Sequence, residues 1–411
     1  MRMETSIPVL VLIAMTATFC TDAVAANDGF IYGKITTRSG ETYTGTMRWG
    51  KQECFWDDLF NATKKDNPWK KYASEDINRD AYESKDNKYK LKVLGITVYN
   101  SIGFSGNHMF ISRFGDIQRI KNKRRRYSTI VMKNGTEYDV SGYGDVGEKI
   151  QMLDENLGKI KINWDEIKEI EFMPTSKNAK VPGYRLQGKL ITDEMEFEGY
   201  IMWDAEECLS SDILDGETDD GDMEIEFGNI RSIKRMSSRG CRVTLKDGRK
   251  FELRGTNDVN DENRGIYVWD DRYGKIEVQW DEFDEVIYED KDDSGKPYDA
   301  YKPAQKLHGS VETIDNDVYQ GEIVFDFDES EDFEILNGML DEMEFNIPFS
   351  MIASITPRGR HSSTVELVNG LKLRLEDAQD VSAKNDGILV FQDKKKPKYV
   401  AWEDVEKITF K

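Results

Sequence analysis

Apolar and polar residues alternate along most of this chain, and helical periodicity is scarce. Residues 128–140 (STIVMKNGTEYDV), 241–253 (CRVTLKDGRKFEL) and 363–375 (STVELVNGLKLRL) each alternate on both sides of a turn such as Asn134-Gly135 or Asp247-Gly248. That pattern predicts β-hairpins. A second pattern follows the hairpins: apolar, x, aromatic, x, x, apolar, x, x, apolar. ISRFGDIQRI, IEFGNIRSI and IPFSMIASI carry it, as do three near-identical phrases, INWDEIKEIEF (162–172), VQWDEFDEVIY (278–288) and VAWEDVEKITF (400–410). Alternation up to the aromatic predicts a strand, the three-residue step after it a single 3₁₀ turn, and renewed alternation a returning strand.

These elements recur as three long repeats. Each opens on a glycine (Gly33, Gly188, Gly309), and a second glycine follows in the hairpin (Gly45, Gly199, Gly321). Four residues later comes an aromatic (Trp49, Trp203, Phe325), and then an acid (Glu53, Glu207, Glu329). A second hairpin-led block completes each repeat, with an Asp-Val pair at Asp145-Val146, Asp258-Val259 and Asp380-Val381. Polar, proline-bearing linkers at 173–183 and 289–304 set the repeats at 26–173, 174–297 and 298–411. The first repeat also carries an insertion at about 63–104, of the kind that on repeat scaffolds forms a functional loop or a tolerated excursion.

Strand, one 3₁₀ turn, strand is how small five-stranded barrels pass from their fourth strand to their fifth. The chain in this respect resembles tandem copies of the Sm-like small β-barrel. The resemblance implies an all-β fold in which each long repeat is two five-stranded barrels joined by a basic connector. A six-bladed β-propeller is the alternative that six short β units also allow. A unit of about fifty residues buries little surface, so Trp164, Trp280 and Trp402 are expected to plug the barrel ends as packing residues.

Residues 1–25 read as a cleaved secretory signal: Arg2, then IPVLVLIAMTATF, too short to span a bilayer, then the small-x-small Ala23-Val24-Ala25. The mature chain would be exported, periplasmic or extracellular and bacterial, with no transmembrane span. Three cysteines remain, Cys54, Cys208 and Cys241, too few and too odd for a disulfide framework. Cys54 and Cys208 occupy equivalent repeat positions, where the third repeat has Ser330. They are read as small half-buried side chains in preference to an inter-repeat bridge.

The formal charge of −21 opposes nucleic-acid binding. No catalytic constellation is visible. His108, His308 and His361 have no ligand spacing for zinc, and no strand–Ser–helix elbow occurs. The protein is therefore read as a non-enzyme without a cofactor. Calcium is the one ion that the acidic runs at 215–224 and 326–334 suggest, although Asp220 stands where a helix-loop-helix site needs glycine.

Against this acidic background, positive charge gathers at one position in every repeat, the connector between blocks: Lys123, Arg124, Arg125 and Arg126; Arg235 and Arg239; Arg358 and Arg360. With Trp69, Lys70 and Lys71 of the insertion, these are the candidate binding residues. The expected function is a binding or scaffolding module whose partner is an envelope or extracellular protein. The alternatives are capture of an anionic glycan or lipid headgroup by the connectors, or a hydrolase site between repeats. A single-copy, buried acid or histidine facing a cleft would mark the last.

Overall fold

The computed structural model describes residues 27–72, 88–93, 96–101, 108–124, 126–142, 144–291, 293–393 and 396–411. The segment read as a signal, and residues 73–87, 94–95 and 102–104 of the insertion, lie outside the described residues. The protein is all-β, its sheets are antiparallel, and among the described residues helical structure is confined to single 3₁₀ turns. No described helix is long and apolar enough to cross a membrane.

The middle repeat shows the plan. Its first block forms the opening hairpin Gln187–Thr192 and Glu196–Met202, then the strands Ile213–Thr218, Gly221–Glu226 and Ile230–Ser237. Its second block forms the hairpin Gly240–Leu245 and Lys250–Arg254, then Ile266–Asp270, Gly274–Val278 and Phe283–Tyr288. The blocks do not fold separately, as the sequence led us to expect. The opening hairpin pairs on one side with Phe283–Tyr288 and on the other with Ile266–Asp270, both from the second block. The second block's hairpin pairs with Ile230–Ser237 and with Ile213–Thr218 of the first. Each five-stranded group thus takes its hairpin from one block and three strands from the other. The pairing of Ile230–Ser237 with Phe283–Tyr288 joins the two groups. The first and third repeats have the same order.

Two expectations are corrected by this arrangement. The sheets are large and not closed into barrels. Nor are there six blades, because each repeat is one continuous ten-stranded order; the second and third repeats are further joined through Gly274–Val278 and Met343–Pro348 into one sheet of 20 strands.

The recurrent glycines make the hairpin exchange possible. Gly33 faces Gly45 across the opening hairpin, Gly188 faces Gly199, and Gly309 faces Gly321. A Cβ on Gly188 would lie 2.0 Å from the Ile287 carbonyl oxygen, and one on Gly199 would lie 1.9 Å from that of Trp269. Only a hairpin without side chains at this point fits between its two neighbours.

The aromatic formula is a packing formula. Trp164, Trp280 and Trp402 are all buried. Each meets the aromatic that ends the opening hairpin: Trp49 at 5.6 Å, Trp203 at 6.2 Å and Phe325 at 6.0 Å, edge to face. The last aromatic of each phrase, Phe172, Tyr288 or Phe410, meets the 3₁₀ aromatic of the first block, Phe114, Phe227 or Phe349, at 6.0, 5.9 and 5.5 Å. The phrase recurs because each copy closes the same ring-to-ring contacts between its two blocks.

Gly199→Ala should destabilise the protein by about 3 kcal/mol, because carbonyl backbone must move aside. Gly248→Ala, at an exposed turn with φ 92° and nothing within 4 Å, should cost only about 1 kcal/mol. Urea unfolding of the two variants measures the contrast. Equal losses would contradict the close-approach account.

Candidate functional site

After the opening hairpin each chain makes the same bend. The aromatic residue is followed by a left-handed backbone position, Gly50 (φ 57°), Asp204 (φ 48°) or Asp326 (φ 48°). The acid three residues further on closes an isolated bridge to the aromatic: Trp49–Glu53, Trp203–Glu207 and Phe325–Glu329. The Asp of each Asp-Val pair sits beside it. Asp145, Asp258 and Asp380 each accept the backbone N–H of the third strand's residue, Asn61 (2.6 Å), Asp215 (2.8 Å) and Asn337 (2.6 Å). The Trp49 and Trp203 indoles donate to the carbonyls of Asp145 (2.9 Å) and Asp258 (2.8 Å). Every repeat therefore ends in an acidic pocket built from both blocks. Both recurrences are visible in the sequence; what the sequence does not show is that the hairpin exchange brings them together.

In the second and third copies the pocket has three carboxylates, Asp204, Glu207 and Asp258, and Asp326, Glu329 and Asp380, their oxygens within 4.8 Å of one another. Oxygens so placed are the donor type for a hard cation. The protein already engages several of them, however. Asp204 accepts from the Arg264 guanidinium and the Arg264 N–H, and Asp326 accepts from the Asp386 N–H. An acidic grouping alone does not establish a metal. Burial and the neighbouring charges hold Glu207, Asp258, Asp326, Glu329 and Asp380 toward the neutral form. Glu207 is pushed up to about 9 and Asp258 to about 6, while Glu329 and Asp326 lie well above the usual carboxylate range. The first copy keeps Glu53 and Asp145, with burial again raising both, Asp145 to about 7.

A second acid follows each bend and holds the next turn. One oxygen of Asp58, Asp212 or Glu334 accepts two successive backbone N–H groups: Cys54 and Phe55, Cys208 and Leu209, Ser330 and Glu331. Each of these acids is met by a cation from another repeat. Arg48 grips Asp212 at 2.6 and 2.9 Å, and Lys64 reaches Glu334 at 2.7 Å and Asp328 at 2.8 Å. Arg185 lies 2.8 Å from Asp57 and 3.8 Å from Asp58, its guanidinium stacked 3.7 Å from the Tyr200 ring centroid and 4.1 Å from that of Phe55. The distance to Asp58 is an ion-pair distance without a hydrogen bond, and burial outweighs Arg185 to leave Asp58 raised to about 6.

A cleft lies over the first copy. It encloses about 580 Å³ between the first and second repeats, with Glu53, Asp145, Asn61, Tyr267, Trp269 and Lys275 in its wall. The Lys275 ammonium lies 4.1 Å from the Tyr267 ring centroid and 4.9 Å from that of Trp269, and closes no ion pair among the described residues. Burial lowers its proton affinity despite the surrounding acids. The Asn61 Oδ1 is buried without a hydrogen-bond partner.

The residues singled out in the sequence lie elsewhere. Trp69 is half-buried, 5.8 Å from Phe391 of the third repeat and stacked on Tyr72, while Lys70 and Lys71 are exposed beside it. The start of the insertion is thus a strap onto the third repeat. The connectors are the hairpin turns between the fifth and sixth strands of each repeat. Lys123 pairs with Asp139 at 2.7 Å, Arg235 donates to the Phe283 carbonyl at 2.6 Å, and Arg358 donates to Thr364 at 3.2 Å. Arg126, Arg239 and Arg360 are exposed. Arg125 and the side chain of Arg124 lie outside the described residues.

His108 meets part of the mark set for a hydrolase: it occurs in one copy and faces a small cleft against the third repeat, but it is only partly buried. Both of its ring nitrogens are engaged internally, Nδ1 at 3.5 Å from Asp328 and Nε2 at 3.2 Å from the Asn67 amide. A general base needs a free lone pair toward substrate, so this histidine belongs to the strap. No family model matches the chain, and no curated protein or solved structure is significantly similar to it.

Two variants test this electrostatic picture. Burial and the neighbouring carboxylates push Glu207 up to about 9 in the folded protein, whereas the unfolded chain has the ordinary glutamate value of about 4.3. This group's contribution to stability therefore falls as pH rises between those limits. Glu207→Gln should raise the Tm at alkaline pH and change it little in acid, as scanning calorimetry across pH would show. Lys64→Met leaves Asp328 and Glu334 buried without their cation, and chemical unfolding should show a loss of about 3–5 kcal/mol.

Proposed function

We propose that the protein is an exported, non-enzymatic binding module of the cell envelope or extracellular space, and that it takes its ligand in the cleft between the first and second repeats. The observation that carries this reading is Gly50. Where the sister copies place the carboxylates of Asp204 and Asp326, the first copy has no side chain, and its end-pocket opens into the 580 Å³ cleft. The same acid pair recurs in all three copies, which speaks for structural support over a unique catalytic dyad. The space, the Lys275 ammonium, which closes no ion pair among the described residues, and the Asn61 Oδ1, buried without a hydrogen-bond partner, belong to the first copy's pocket.

The wall suits a hydroxyl-rich, partly anionic ligand. Lys275 offers charge to an anionic oxygen, Glu53, Asp145 and Asn61 offer acceptors for hydroxyls, and Trp269 offers a ring face; a few placed polar groups in a concave site are what specific small-ligand recognition requires. An acidic oligosaccharide has this chemistry. Capture of anionic headgroups by the connectors is the weaker reading, because Lys123 is neutralised within its own repeat, and Arg235 and Arg358 are tied down there.

The strand order within each five-stranded group supports the Sm-like resemblance at a finer level. In each, a hairpin lies between the strand after the 3₁₀ or single turn and the first of the three partner strands. The fold would then be paired five-stranded motifs of that strand order, with exchanged hairpins and sheets left open.

Calorimetric titration with a short uronic-acid oligosaccharide tests the function. Wild type should bind it saturably, Lys275→Met should weaken binding by about tenfold or more, and Gly50→Asp should block it. Absence of binding, or equal binding by both variants, would overturn the reading.

A further inference from the structure

Cys54 and Cys208 begin the same acid-held turn in neighbouring repeats, and the two turns face each other. Both side chains are buried, 1% and 2% exposed, in one small apolar cluster with Phe30, Phe55, Met202 and Leu209. The Cys208 thiol donates to the Gln52 carbonyl at 3.4 Å, two residues before Cys54, and the two thiols share that one buried cluster. Arg48 lies beside both sulfurs, fixed by Asp212 and by the Glu206 carbonyl at 2.7 Å. In the third repeat the equivalent residue is Ser330, whose turn is met by Lys64 of the first repeat. Thiols therefore stand only in the two turns that meet. Cys241 is buried apart from them in the core of the second and third repeats.

We propose that Cys54 and Cys208 are joined by a disulfide in the oxidised protein, a covalent tie between the first and second repeats that closes on existing contacts. The oxidant is a disulfide of low molecular weight, such as oxidised glutathione. One cysteine loses its proton and its thiolate attacks the glutathione disulfide, expelling one glutathione thiolate and leaving a mixed disulfide. The second cysteine, also deprotonated, attacks the protein sulfur of that mixed disulfide and expels the second glutathione thiolate. Two protons and two electrons pass from the cysteines to two glutathione thiols. Burial pushes the Cys208 thiol well above its usual range, and the positive charge of Arg48 opposes this in favour of the thiolate that each step requires.

The test is to equilibrate the chain without its leader (residues 26–411, which carry three cysteines) with oxidised glutathione, denature it, alkylate without reductant and digest for mass spectrometry. The expected result is alkylation of Cys241 alone, together with a Cys54–Cys208 linked peptide that separates on reduction. Full alkylation of all three cysteines, a mixed disulfide that never resolves, or a bridge involving Cys241 would each overturn the proposal. Thermal unfolding supplies the second readout. The oxidised wild type should melt above the reduced protein, Cys241→Ser should keep that difference, and Cys54→Ser should abolish it. A redox-independent Tm in Cys241→Ser would count against the bond.

Discussion

Everything in this protein rests on the close passage of the opening hairpin between two strands of the other block. The passage needs facing glycines, because a Cβ on either would sit about 2 Å from a carbonyl oxygen. Once the hairpin is in place, the rest of each repeat follows. The closing strand is covered on both edges, and the last aromatic of the second block meets the 3₁₀ aromatic of the first. The bend that carries the chain out of the hairpin brings Glu53, Glu207 or Glu329 beside the Asp of the other block. Fold and acidic pockets thus have one cause.

The repeats then hold one another by a second device. Each acid that binds two backbone N–H groups of a turn also attracts a cation from elsewhere: Arg48 and Lys64 leave the first repeat for the second and third, and Arg185 leaves the second for the first. Buried ion pairs of this kind add less to stability than to the choice of neighbour, because desolvation offsets most of their attraction. Apolar contact supplies the adhesion, as between Leu59, Ile111 and Ile335, or between Phe110 and Phe333 at 6.2 Å. Among the described residues, only the second and third repeats also share backbone hydrogen bonds, through Lys275–Asn346 and its neighbours.

Much of the fold was legible in the sequence because its signals are local. Alternation marked the hairpins, the aromatic formula marked the 3₁₀ turns, and the buried edge-to-face pairs of Trp164, Trp280 and Trp402 agree with the packing role expected of them. The partnering of hairpins was not legible, since both hairpins of a repeat carry the same alternation and nothing in either one specifies its sheet. The spacing of Glu207 and Asp258 gave two recurrences without a link between them. Trp69 had looked available in sequence; the third repeat covers it through Phe391. Lys275 could not be singled out either, because Lys159 stands at the matching position of the first repeat and is exposed. Only the neighbouring repeat, packed over Lys275, makes it different.

The exchanged hairpins also bear on how the chain is made. Tyr32–Thr37 emerges from the ribosome early, yet one of its lasting neighbours is Ile167–Phe172, the final strand of the same repeat. Until that strand arrives the hairpin has an uncovered edge, and no block can reach its native form ahead of its sibling. The smallest stretch able to mature during synthesis is accordingly a whole long repeat, and inheritance by duplication would have had to copy that same stretch entire.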